Sequence, residues 1–193
     1  MISTVTHDTL VRTFGADAVV RLPEQAQAPE LSHVPTRTFL ADVGLPLVEG
    51  ALFEVVDDLG GGLTPLLDEY GEEELAAFGL GPDAVRHWFF LGEAAWSALA
   101  LDGASGRVLA LHGELGEAEP VHTDLSGMAY AMQVLAVRRP EFTTKGGANQ
   151  DLEAVRRAAA EVRREISEAD PLPFARSEGL WHAVIEDICG GMW

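Results

Sequence analysis

Residues 96–112 read WSALALDGASGRVLALH, and this stretch decides the fold. Two apolar runs, 96–101 and 107–112, flank Asp102-Gly103-Ala104-Ser105-Gly106. A short connection carrying two glycines is what a hairpin requires. Both runs are apolar on both faces: Leu99 and Leu101 alternate with Ala98 and Ala100, Leu109 and Leu111 with Val108 and Ala110. A half-exposed strand would alternate with polar residues instead, so these two are expected at the centre of a sheet covered on both sides. Upstream, residues 85–91 with Trp88, Phe89 and Phe90 read as a further strand.

Beyond the hairpin the pattern turns helical. Asp124 can cap a helix in which Leu125, Met128, Ala129, Met132 and Leu135 recur at spacings of three and four. Arg138 and Arg139 fall in its last turn, where cations suit the carbonyl end, and Pro140 should stop it. Residues 143–149 are a polar linker. A long helix over 151–169 places Leu152, Val155, Ala159, Val162 and Ile166 on one stripe and a mixed-charge face opposite. Pro171 and Pro173 break it, and Ser177 is expected to cap a last helix carrying Leu180, Trp181, Val184, Ile185 and Ile188 inward. Before the hairpin, residues 9–14 suggest a short helix ending at Gly15, 19–22 a short strand, and 25–30 a loop. Thr36 is expected to cap a helix bearing Phe39, Leu40 and Val43, and residues 52–56 read as a strand before the Gly60-Gly61-Gly62 turn. Mixed elements, then antiparallel strands, then helices define an α+β domain: a mostly antiparallel sheet flanked by helices, with a C-terminal helical pair packed on it. The expected core is Phe39, Leu40, Phe53, Trp88, Phe90, Leu99, Leu101, Leu109, Leu111, Leu125, Met132 and Trp181.

The chain has 193 residues, enough for one sizeable core. We expect a single domain over 1–193, with a lead-in at 1–34, a core at 35–142 and C-terminal helices at 149–191. Thirteen Lys and Arg against 31 Asp and Glu give a net charge of −18, which argues against a nucleic-acid binder or an anionic membrane surface as partner. The single cysteine cannot form an internal disulfide or a Cys-rich zinc site. No apolar run approaches the roughly 18 residues of a membrane span, and residues 1–14 lack the pattern of a secretory signal. The expectation is a cytoplasmic protein.

Motifs for chemistry are weak. His112-Gly113-Glu114 has the His-x-Glu form of zinc deaminases, but the Pro-Cys-x-x-Cys that completes their metal site is missing, since Cys189 is the lone cysteine. His182 and Glu186 stand one helical turn apart without a third ligand, and read as a surface pair. Ser105 sits between two strands, not in a strand-to-helix elbow. Gly60-Gly61-Gly62 and Gly146-Gly147 lack the residues of a phosphate loop. No catalytic, cofactor-binding or metal residue is assigned. The acidic residues of the first half differ in kind. Glu54, Asp57, Asp58, Asp68, Glu69, Glu72, Glu73 and Glu74 fall in 21 residues without a Lys or Arg. Such a run is most often a solvated face; the sharper alternative is a contact surface, in a Gly-interrupted and loop-rich segment, for a basic protein partner.

Several stretches, taken in order, resemble the SUKH superfamily, in its branch of immunity proteins of bacterial polymorphic toxins. Pro35, Phe39-Leu40 and Gly44-Leu45-Pro46, with Phe53 following, match its opening. Leu91-Gly92-Glu93 resembles a strand end, and Leu101-Asp102 with Gly106-Arg107-Val108 resembles its hairpin. Asp124-Leu125-Ser126 partly meets its Asn-Ser-Ser helix start. Ala169-Asp170-Pro171 and Leu180-Trp181 through Ile185-Glu186-Asp187-Ile188 resemble its ending. The resemblance implies an α+β fold without catalytic residues or cofactors, and a protein that neutralises a cognate toxin, of nuclease or nucleobase-deaminase type, by binding it. A regulatory adaptor of the same fold and an enzyme with an unrecognised cleft are the rival expectations.

Overall fold

The structure is a computed structural model and describes residues 2, 4–47, 53–55, 59–95, 97–112, 116–142 and 152–191, with the side chains of 53–55 and 60 also left aside. Expectations that rest on Phe53 as a core side chain, on Trp96, on Glu114, or on residues 143–149 and 151 lie outside these. Nearest the N-terminus come helix α1 (His7–Phe14), strand β1 (Val19–Val20), α2 (Val34–Asp42) and β2 (Leu45–Pro46). They are followed by β3 (Phe53–Val55), β4 (Thr64–Pro65) and three short helices, α3 (Leu66–Glu69), α4 (Glu72–Ala77) and α5 (Pro82–Val85). The strands β5 (Trp88–Ala94), β6 (Ser97–Asp102), β7 (Val108–His112) and β8 (Glu117–His122) then run consecutively. The long helices α6 (Leu125–Phe142), α7 (Leu152–Ala169) and α8 (Leu180–Gly190) come after them.

The main sheet is antiparallel in the order β3-β5-β6-β7-β8, with β4 also on β5, and β1 pairs with β2 apart from it. Its centre is the hairpin, and the register explains the Leu/Ala alternation. Ala98 faces Leu111, Leu99 faces Ala110, and Ala100 faces Leu109, so a large side chain meets a small one across the strands. Leu99, Leu101, Val108 and Ala110 point into the larger core, which is shared with α1, α2, α6, α7 and α8. Ala98, Ala100, Leu111 and Phe90 point the other way, to a smaller core with Leu66, Leu75 and Val85 of the three short helices. The sheet is therefore covered on both faces, and the fold is α+β.

Several boundaries differ from the expectation for identifiable reasons. Val85 closes α5 and is buried among the small-helix residues, so β5 starts only at Trp88. The α2 N-cap is His33 rather than Thr36, because Pro35 pre-sets helical φ at the second position; the Thr36 hydroxyl instead bonds His33 Nδ1 at 2.8 Å. Pro140 lies within α6 rather than ending it. A proline two residues from a helix end removes a single bond, and the extra turn buries Phe142. Ser177 does not cap α8: Gly179 holds that position, and the capping group comes from another element. The acidic segment is not mostly loop, since α3 and α4 carry its described carboxylates. Strand β8 had no clear signature in the sequence, yet it receives the C-terminal segment through buried polar side chains.

Candidate functional site

Two surfaces carry the chemistry. The first is the acidic one. Asp68 and Glu69 sit on α3 and Glu72, Glu73 and Glu74 on α4, all exposed. Their helices are anchored by Leu66 and Leu75, both fully buried against the sheet face of Ala98 and Ala100. Tyr70, between the helices, meets Phe78 and Phe90 edge-on at 5.6 and 5.9 Å. Burial first, and then the charges of Glu93, Glu69 and Glu74, push the Tyr70 phenol above its ordinary value. The carboxylates thus produce a negative field felt by a neighbouring side chain. Glu74 is partly committed, since its Oε2 accepts from the Gly71 N–H at 2.9 Å and closes the first turn of α4. Glu54 lies on β3 at the register position opposite Glu93, and Asp57 and Asp58 fall outside the described residues.

The second is a pair of buried polar chains between β8 and the C-terminal segment. In one, Ser97 Oγ lies 2.8 Å from His112 Nδ1, and His112 Nε2 lies 2.9 Å from Glu119 Oε2. Glu119, only 5% exposed, also accepts from the Leu180 N–H at 3.3 Å. It therefore caps α8 from across the fold, where a carboxylate also suits the positive helix end. The order serine, histidine, carboxylate is that of a nucleophile relay. Ser97, however, is 3% exposed within the sheet, out of reach of a substrate, so this chain acts as a fastening. His112, the last residue of β7, is accordingly tied into the structure at both ring nitrogens.

In the other chain, the Trp181 indole N–H donates to His122 Nε2 at 3.1 Å, and His122 Nδ1 bonds Asp170 Oδ2 at 3.0 Å. Asp170 also accepts from the Thr123 N–H, the Thr123 hydroxyl and the Leu172 N–H. Burial, the largest influence, lowers the His122 pKa and outweighs the pull of Asp170 and Asp124 towards the charged ring. Burial also opposes the charge on Asp170, but bonds from His122 and Thr123 prevail and hold it below its ordinary value.

The remaining candidates are occupied in ordinary ways. Ser105 donates to Asp102 within the hairpin loop. His182 Nε2 donates to the Arg176 carbonyl at 2.8 Å, and Glu186 is exposed. Gly60 and Gly61 belong to a single 3-10 turn, and Gly146 and Gly147 lie outside the described residues. Cys189 is half-buried and packs against the core. Among the described residues, no three His, Cys, Asp or Glu converge as metal ligands, and no helix is long and apolar enough to cross a membrane. The sequence reading missed Ser97, Glu119 and His122. Their partners are up to 61 positions away, and no local pattern marks such pairs.

The described residues thus present buried ties between β8 and the C-terminal segment, and an outward layer of carboxylates on α3 and α4. Residues 5–187 match the family model described as SUKH-4 immunity protein, nearly the whole chain, and the chain belongs to that family. No curated protein and no solved structure matches it.

Proposed function

We propose that this protein is a cytoplasmic immunity protein, folded as one unit, that neutralises a cognate toxin by direct contact through its acidic layer. The observation that carries the reading is the carboxylate set on α3 and α4, held rigid against the sheet by Leu66 and Leu75. No Lys or Arg occurs from residue 38 to residue 85, so nothing along that stretch offsets the charge. A toxin that acts on nucleic acid, whether nuclease or nucleobase deaminase, needs a basic groove for phosphates. An inhibitor that presents carboxylates to that groove competes with the substrate and is drawn in by the opposite field. Glu54, Asp57 and Asp58 extend the same acidic run and are part of the proposed contact. The toxin, rather than nucleic acid or a membrane, is the partner, and no cofactor is required.

The test is co-expression with the toxin candidate encoded beside this gene. Survival of cells that otherwise die, together with co-purification of the two proteins, supports the reading. Death despite abundant folded protein refutes it, and survival without a complex refutes the contact mechanism.

A further inference from the structure

We propose that the junction of His122, Asp170 and Trp181 is a proton-sensitive latch that lets α8 come away from β8 when the surroundings acidify. Donors and acceptors fix the protonation state of the docked ring. An indole N–H can only donate, so His122 Nε2, 3.1 Å away, must carry a lone pair. The ring is then neutral with its proton on Nδ1, which donates to Asp170 Oδ2. Adding a proton to Nε2 would set two N–H groups head to head in a site where Trp181 is 0% and His122 1% exposed. Water cannot relieve that conflict while α8 is docked.

His112 provides the contrast within the same sheet. Its Nδ1 faces the Ser97 hydroxyl, which can turn from donor to acceptor, and its Nε2 faces the Glu119 carboxylate. Both of its ring nitrogens face groups able to accept, whereas Nε2 of His122 faces an indole N–H that can only donate.

The groups around His122 come from four elements. Asp170, after α7, and Asp124, before α6, are carboxylates whose charge favours protonation. Trp181 of α8 opposes it by geometry and meets the ring edge-on at 5.3 Å. From β7, Val108 is the register partner and carries no charge. Burial outweighs the two carboxylates, so the docked state prefers the neutral ring. A released α8 would return the ring to water and its ordinary value, so acid favours release by up to about tenfold per pH unit below about pH 6.5.

The experiment is amide hydrogen exchange on the full chain between pH 7.5 and 5.0, expressed as protection factors so that intrinsic exchange chemistry cancels. Protection across Leu180–Gly190 should fall by up to about tenfold per unit below pH 6.5, while β6 stays protected. His122→Gln, whose amide can accept from Trp181 and donate to Asp170 without titrating, should flatten the response. Trp181→Phe removes the opposing donor, so it should loosen α8 at every pH yet flatten its pH dependence. His112→Gln should leave the wild-type slope in place. Unchanged α8 protection, an equal loss in β6, or a full slope in His122→Gln overturns the latch. Should the variants not fold, the titration of the His122 ring in the wild type by NMR decides the matter. Ring protonation must accompany loss of α8 protection, and a ring that protonates while α8 stays protected overturns the proposal.

Discussion

The Glu119 carboxylate occupies the space that a side chain on Gly179 would need. Gly179 also has φ +140°, a conformation that L residues rarely adopt, so two independent constraints keep it glycine. Gly179→Ala should therefore lower stability by about 1–3 kcal/mol, read as a reduced urea midpoint with an unchanged slope. Combining it with Glu119→Ala should cost less than the sum of the two, because the collision is removed while the backbone strain stays. Strict additivity would show that the carboxylate does not press on the turn.

Leu101 lies fully buried on the central strand, opposite Val108 in the larger core. Leu101→Ala should cost about 2–5 kcal/mol, since a site walled by sheet and helices cannot close around the lost atoms. A loss within experimental error would make the hairpin peripheral and contradict the layering.

The hairpin was legible because its signal is local and doubled. Two runs with the same alternation and a glycine-bearing turn fix strand, register and burial together, and the stripes of α6, α7 and α8 are equally self-contained. Strand β8 was not legible because its sequence, Glu-Ala-Glu-Pro-Val-His, spends its polar side chains on distant partners. Glu119 and His122 look like surface residues until Leu180, Trp181 and Asp170 are placed against them. The short helices α3 to α5 span four to six residues, too few for a helical period to appear. Of the acidic contact set, the carboxylates were visible in the sequence, but their rigid mounting through Leu66 and Leu75 was not.

Removing residues 143–193 should leave an aggregating or molten fragment. It would strip α7 and α8 from the larger core and leave His122 and Glu119 without their C-terminal partners. Dye binding to exposed apolar surface and loss of a cooperative thermal transition are the expected readouts. A soluble fragment that unfolds cooperatively would show that the tail is dispensable.

Asp170 concentrates four bonds in a buried place, and Gly127 is its close neighbour, since a Cβ there would lie 2.5 Å from Oδ2. Asp170→Ala should cost about 3–5 kcal/mol, because buried donors lose their acceptor. The carboxyl is held below its ordinary value of 3.8 in the folded protein. Its contribution is thus complete above that value and is lost as pH falls through the folded one. Asp170→Asn should make the stability curve flatter below about pH 4 than in the wild type. Parallel acid limbs in the two proteins would show that Asp170 titrates alike folded and unfolded.

The acidic layer is best tested by neutralisation, because Glu72 and Glu73 lie in the first turn of α4, where lysines would oppose the positive helix end. The combined variant Asp68→Asn, Glu69→Gln, Glu72→Gln and Glu73→Gln keeps every side chain close to its native shape. Leu66 and Leu75 remain to hold the helices, so the thermal midpoint should change little. Association with the toxin should slow about tenfold or more at low salt, since opposite fields accelerate encounter by that order. Added salt should slow the wild type more than the variant, which keeps Glu54, Asp57, Asp58 and Glu74, and so narrow the gap between the two rates. Dissociation should change less than association, as befits charges that steer two proteins together before close contact is made. An unchanged association rate in the variant would make these carboxylates a solvated face and move the contact elsewhere on the protein.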